Sequence, residues 1–230
     1  KYILPSSCSN YGKIKKSEIA DETFKLNPLT NYSKANSFAE SKIIGLGTSS
    51  FCVTVIRQGT VFGFSPKMRF DLAINGMTHD SWKFGELPLM KDGTQRRPML
   101  HIKDVCRGIN FLLNCDSLKI NNQIFNLGDN LNNYSILSLS EIIKKNIKRK
   151  LKIKWYGSKD KRTYFVSFNK INNLGFKTKY DAEYGIKEIV AKLEKNKISK
   201  SPETITLNWY EKLEYWKEKI ESIELNNRLI

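Results

Sequence analysis

Near its start the chain carries Ser6-Ser7-Cys8-Ser9-Asn10-Tyr11-Gly12, and after a connecting stretch comes Tyr32-Ser33-Lys34-Ala35-Asn36-Ser37-Phe38-Ala39-Glu40. Oxidising a sugar hydroxyl needs a base for the proton and an acceptor for the hydride. A phenol of ordinary pKa about 10 must be lowered by roughly 3 units, about 4 kcal/mol, to act as that base near neutral pH. A serine hydroxyl beside it can hydrogen-bond the substrate oxygen and steer its proton. Ser7 and Tyr32 have the residue types for this work if both reach one carbohydrate oxygen. Ser7 as the cap of a strand-to-loop turn, and Tyr32 as an ordinary half-buried helix tyrosine, are the plain alternatives.

The elements that must position them follow from local pattern. Tyr2-Ile3-Leu4 reads as a buried strand leading into the serine-rich segment. Asn27-Pro28-Leu29-Thr30-Asn31 is a helix-start signal, and helical spacing then runs to about Leu46. A strand over Phe51–Arg57, a loop-rich stretch to Arg97, and a strand over Met99–Ile102 come next. A helix over Asp104–Leu113, with Asp104 as its N-cap, and a strand over Gln123–Leu127 follow. Ser138 and Glu141 have capping-box spacing and open a further helix. Strand Lys152–Tyr156, a short helix near Phe168–Asn173 and a helix over Ala182–Leu193 complete the alternation. That alternation argues for an α/β fold with a largely parallel sheet. After Ser201-Pro202-Glu203, a helix opening, Trp209, Leu213, Trp216 and Ile220 recur at i, i+4, i+7 and i+11. This stripe is expected to pack against its own domain, a second subunit being the other reading.

The 230 residues are enough for a sizeable core, and 40% hydrophobic content with mean hydropathy −0.45 is that of a soluble globular protein. No apolar run is long enough to span a bilayer, so no membrane partner is expected. Four cysteines without CxxC spacing and only two histidines predict buried thiols in a reducing cytoplasm and no metal site. The charge of +16 comes from lysines spread over the whole length. Without aromatic-interleaved basic motifs, it predicts no nucleic-acid partner, but a potential that draws in an anionic substrate. Lys1 opens directly on a strand with no recognisable signal or transit segment, which reads as a piece of a longer polypeptide.

These motifs, in this order, resemble the extended short-chain dehydrogenase/reductase family, the NAD-dependent nucleotide-sugar epimerases and dehydratases. Ser6–Gly12 is similar to the family's serine-rich segment ending in Tyr-Gly, and Tyr32–Glu40 to its Tyr-x-x-x-Lys helix with the later Glu. Arg57–Gly63 resembles the segment after the sixth strand, Asp92–Val105 the DGxxxR…HVxDV stretch, and Phe125–Gly128 the FNxG strand. The resemblance implies a partial Rossmann-like parallel sheet with a small α/β substrate-binding subdomain. Residues 1–62 would be the C-terminal part of the dinucleotide-binding domain and 63–200 a mixed substrate-binding region, with returning Rossmann elements near 98–128. Residues 201–230 would form a C-terminal amphipathic helix. It implies Ser7 and Tyr32 as catalytic, Tyr32, Asn36 and Val61 as cofactor-binding, and Thr60, Asn75, Arg97 and Arg162 as substrate-binding. NAD is the implied cofactor, with NADP not excluded, and a nucleotide sugar the substrate, in a cytoplasmic homodimer. Arg97 suits a pyrophosphate because its planar fork can make two parallel charge-assisted bonds, a surface carboxylate such as Asp92 being the alternative partner. Asp160, Arg162 and Tyr164 fall where members often contact substrate, and His101 is expected to anchor the corner between strand and helix.

Two departures qualify the resemblance. The family lysine falls at Asn36, which can hydrogen-bond a ribose hydroxyl but cannot lend a charge. Lys34 lies about 200° around the helix from Tyr32 and points elsewhere. Weak or absent activity, or a catalytically silent relative that only binds a sugar nucleotide or a partner, is therefore expected. There is also no Gly-x-x-Gly-x-x-Gly loop, so roughly 100 residues, about three strand–helix–strand units, are expected upstream. The chain alone should hardly bind NAD and should expose an unpaired sheet edge. Cys8 and Ser9 stand where 4,6-dehydratases carry an Asp-Glu pair, which favours epimerase, reductase or decarboxylase-like chemistry.

Overall fold

The computed structural model describes residues 1–15, 17–160, 162–225 and 228–229. Strand β1 (Tyr2–Ser7) pairs in parallel with β2 (Val53–Gln58), and β2 with β6 (Gln123–Leu127), giving a three-stranded sheet in the order β1-β2-β6. The register runs Tyr2↔Val53 to Ser7↔Gln58. The first five residues of β2, Val-Thr-Val-Ile-Arg, are all buried, the pattern of a strand covered on both faces. Among the described residues β1 has only one neighbour, and Tyr2 and Pro5 on it are exposed. Because the Tyr2 N–H donates to Cys52 O (2.8 Å), alternate residues Ile3 and Pro5 direct their backbone groups to the open edge.

Helix α1 (Asn31–Ile43) connects β1 to β2. The Thr30 Oγ1 accepts from Ser33 N (3.2 Å) and Ser33 Oγ from Thr30 N (3.0 Å), a reciprocal cap. The helix ends at Ile43 rather than at Leu46, since Gly45 takes a left-handed φ of 93°. The expected start of β2 at Phe51 moves to Val53, because Thr48 N donates to Phe51 O (2.8 Å) in a turn.

The stretch read as loop-rich holds β3 (Thr60–Phe62), α2 (Ala73–Phe84) and β4 (Glu86–Met90). Its helix hides from the sequence because Asn75-Gly76 and Thr78-His79 are weak helix formers, yet Ile74 to His79 are all buried. β3 pairs in parallel with β5 (Arg96–His101), which leads into α3 (Ile102–Asn114) and the short α4 (Ser117–Ile120). β7 (Asn133–Ser135) runs antiparallel to β5, and α5 (Ile136–Asn146) follows. β8 (Lys152–Tyr156) pairs in parallel with β4. Helices α6 (Asn169–Leu174), α7 (Ala182–Glu194) and α8 (Thr206–Ile223) follow, and then two two-residue strands, β9 (Glu224–Leu225) and β10 (Arg228–Leu229).

Four expectations need correction. The cap of α5 is Ser135, whose Oγ accepts from Ser138 N (3.0 Å), so Ser138 lies inside the first turn. The cap of α3 is His101, whose Nδ1 accepts from Lys103 N (3.2 Å). Asp104 instead lies buried inside the helix and accepts from the backbone N–H groups of Lys179 and Tyr180, both at 2.9 Å. Burial of the thiols holds for Cys8 and Cys52, whereas Cys106 is exposed and Cys115 half-buried. Finally, α8 buries none of its residues and so does not pack its stripe on the body. Two cores carry the rest, one around Ile56, Leu127 and Phe168 behind the β1-β2-β6 sheet, the other around Leu87, Leu139 and Ile186.

Candidate active site

The end of β1 turns sharply. Ser7 is half-buried, and its Oγ accepts from Ser9 N (3.1 Å), capping a 3-10 turn over Cys8–Tyr11. A hydroxyl that accepts a backbone N–H still has its own proton to offer, and Ser7 donates it to no other described residue. The turn closes at Gly12, where φ is 65° and a Cβ would sit 1.8 Å from Asn27 O.

Helix α1 crosses this turn, held by one buried carboxylate. Glu40 Oε1 accepts from Ser6 Oγ (2.5 Å) and Asn10 Nδ2 (2.8 Å), one residue from Ser7. Its Oε2 accepts from Arg57 Nη2 at 2.7 Å, with both side chains 4% exposed. Arg57 Nη1 also donates to Tyr11 Oη (3.1 Å), which lies 2.7 Å from Asn126 Oδ1. Burial opposes the charge on Arg57, but the Glu40 hydrogen bonds and the Tyr11 oxygen outweigh it and hold the guanidinium protonated. Removing one partner from such a pair costs about 3–5 kcal/mol, so α1 is fixed firmly over the ends of β1 and β2. Glu40, Arg57 and Tyr11 lie within the quoted motifs, but nothing in spacing alone joins them into one network.

Tyr32 stands in the first turn of α1, 64% exposed, and its hydroxyl makes no hydrogen bond among the described residues. Asn36 is exposed on the next turn and donates from Nδ2 to Tyr32 O (3.1 Å). Position 36 is thus occupied by an uncharged group bonded to its own helix. Cys8 is buried, its Sγ donating to Arg57 O (3.2 Å), and burial pushes its thiol well above the usual range.

A second cluster forms where β5 meets the segment before α6. Arg97 donates from Nη2 to Asp160 Oδ2 (2.9 Å), and its guanidinium lies 4.9 Å from the Tyr164 ring centre. Arg162 reaches the same carboxylate through Nη2 (2.8 Å) and Nε (3.0 Å). Asp160, not Asp92, is therefore the partner of Arg97; Asp92 pairs with Lys159 at 2.7 Å. Burial would raise the Asp160 carboxyl, but the Arg162 hydrogen bonds and the Arg97 charge keep it below the usual carboxylate range. A shallow cavity beside this cluster is lined by Lys15, Gln95, Arg96, Lys159, Asp160 and Thr163. The Gln95 Oε1 is buried with no partner among the described residues. Gln95 is absent from the sequence-derived site, since only the fold shows its carbonyl to be unsatisfied.

Thr60 and Val61 are half-buried on β3. Asn75 is buried: its Oδ1 accepts from Gly63 N and its Nδ2 donates to Arg69 O, both at 3.1 Å. Its amide thus braces the loop after β3. His101 is buried at the corner before α3, and its Nε2 lies 3.0 Å from Glu188 Oε2.

A family model described as the NAD dependent epimerase/dehydratase family matches residues 1–128. Among solved structures, dTDP-glucose 4,6-dehydratase from Bacillus anthracis, in complex with NAD, is similar at 26% identity and TM-score 0.71, over 85% of this chain and 62% of that one. UDP-glucuronic acid 4-epimerase from Bacillus cereus, with UDP-glucuronic acid and NAD, is similar at 22% identity and TM-score 0.72, over 84% of this chain and 61% of that one. RMD from Pseudomonas aeruginosa, with NADPH, is similar in fold at 19% identity and TM-score 0.73, over 84% of this chain and 66% of that one. The chain thus spans less than two thirds of the length of these structures.

Proposed function

Since the chain belongs to the NAD dependent epimerase/dehydratase family, we propose that it forms the sugar-facing part of an NAD-dependent oxidoreductase or isomerase acting on a nucleotide sugar. The observation that carries this reading is the Glu40 clasp, which fixes the helix bearing Tyr32 across the strand end bearing Ser7. In this reading the Ser7 hydroxyl, its proton uncommitted, binds the reacting sugar oxygen. Tyr32, exposed and unbonded at its hydroxyl, takes that oxygen's proton.

The substrate's diphosphate is read onto Arg97 and Arg162, which already converge on one anion, the Asp160 carboxylate. Gln95 lines the cavity beside them, with its buried carbonyl unpaired among the described residues. Thr60 and Val61 are assigned to the pocket wall, Val61 toward the cofactor. Asn75 supports that wall from behind.

The cofactor, when bound, supplies the hydride acceptor. The chain fits only one end of it: Tyr32 and Asn36 are exposed on one helix face and can meet a ribose, but no glycine-rich phosphate loop occurs in these residues. Asn36 brings no charge beneath Tyr32. Replacing Asn36→Lys in a form that holds the cofactor should raise turnover of nucleotide sugar by orders of magnitude, read from reduced-cofactor absorbance. An unchanged rate removes Tyr32 as the base. Asn36 also favours a second reading, a silent relative; it is selected by tight nucleotide-sugar binding with no oxidation before or after that substitution.

A further inference from the structure

Helix α8 is 18 residues long and none of them is buried. Five of its apolar side chains fall in one seam, with Leu207 outside it: Trp209, Leu213, Trp216, Ile220 and Ile223 are 39%, 46%, 60%, 46% and 49% exposed. Burying that seam is the main stabilisation such a helix lacks. The charges around it are sorted rather than mixed. At about 100° per residue, Lys212, Lys217 and Lys219 flank the seam on its two sides, while Glu211, Glu214, Glu218 and Glu221 lie on the far face. The helix is anchored at its start, where Phe70 N donates to Thr204 O (2.9 Å) and Ile205 packs on the second core.

We propose that this face of α8 lies on an anionic lipid surface. The seam would sink among acyl chains, the flanking lysines would reach lipid phosphates, and the glutamates would face water. Charge complementarity decides among occupants. In any pairing of two such helices flank meets flank, so a second copy would set lysine against lysine. A tight helix–helix seam brings axes to about 8–10 Å, which leaves little room for Trp209 and Trp216. At a bilayer surface, by contrast, indole rings sit at headgroup level. The rest of the chain adds to the attraction, as the whole carries 39 basic against 23 acidic residues. This goes beyond a membrane-spanning role, which no described helix is long and apolar enough to fill.

The test is co-sedimentation of the full chain with phosphatidylcholine vesicles, with and without phosphatidylglycerol, at physiological salt. Binding is expected to the anionic vesicles only. Trp209→Ser with Trp216→Ser, which keeps every charge, should weaken it roughly tenfold or more by removing the buried indoles. Lys212→Gln, Lys217→Gln and Lys219→Gln together should weaken binding to the anionic vesicles roughly tenfold or more. The altered side chains are exposed, and unchanged thermal melting verifies that the fold is kept. Absence of vesicle binding overturns the proposal, as does binding that the tryptophan variant leaves intact, which would come from net charge alone. A wild-type dimer in light scattering that the tryptophan variant dissociates assigns the face to a second copy instead. Binding that disappears in a longer natural form assigns it to the rest of that protein.

Discussion

At the scale of single residues, the candidate site contains a carboxylate whose pairing with Arg97 sequence reading did not foresee. Asp160 sits between Arg97 and Arg162, taking the Nε and Nη2 of Arg162 and the Nη2 of Arg97. A nucleoside diphosphate held as proposed would compete with it for the same donors. Asp160→Asn should therefore tighten binding of a nucleoside diphosphate about tenfold, equivalent to about 1.4 kcal/mol. Arg97→Ala should weaken it by a similar factor. Calorimetric titration with UDP and dTDP measures both, and equal affinities in all three proteins would detach these arginines from the phosphates. Arg97 and Arg162 were legible as anion-binding types, and Asn36 was legible as a missing charge. Which acid faces Arg97 was not, because Asp92 is close in sequence while Asp160 arrives from a distant segment. The engagement of Asn75 with its own loop was equally hidden.

At the scale of elements, His101 shows how a corner can be tuned by protonation. Its Nδ1 accepts the Lys103 N–H, so the proton of the neutral ring is on Nε2, facing Glu188. Burial, only partly offset by Glu188, lowers its pKa below the ordinary 6.5. Between the lowered folded value and about 6.5 the unfolded chain binds the extra proton and the folded one does not. Stability contributed by His101 is therefore complete above about pH 6.5 and falls as the pH drops below it. Unfolding midpoints in urea should decline from pH 7 to pH 5, and His101→Asn should flatten that slope while lowering stability at pH 8. A slope untouched by the substitution assigns the decline to other groups.

The helices that sequence missed or misplaced have two causes. α2 was concealed because its burial comes from packing that its weak formers do not announce. The ends of α3 and α5 were misread by three residues because several polar side chains in each segment could cap, and only backbone geometry chooses. Outside the stretch that holds β3, α2 and β4, the β-α alternation, which depends on hydrophobic periodicity and not on partners, was readable.

At the scale of the whole molecule, the outstanding features are two uncovered surfaces, the outer edge of β1 and the seam of α8. The seam was visible in sequence as a periodic stripe, but periodicity cannot say what covers a stripe. The β1 edge and the missing phosphate loop bear together on cofactor affinity. The 230-residue chain should show no micromolar binding of NAD, because the ribose contact proposed for Tyr32 and Asn36 comes without a glycine-rich cradle for the pyrophosphate. Isothermal titration reads this directly, and a micromolar dissociation constant would place an unforeseen phosphate site within these residues.

The open side of β1 is not a uniform ladder. Pro5 points its backbone there and has no N–H to give. A strand arriving from outside finds one rung absent near the middle, so it can settle only in an alignment that asks nothing of that rung. An exposed margin of this kind rejects most chance partners, including other copies lying edge to edge, while remaining open to one whose own spacing was shaped around the gap.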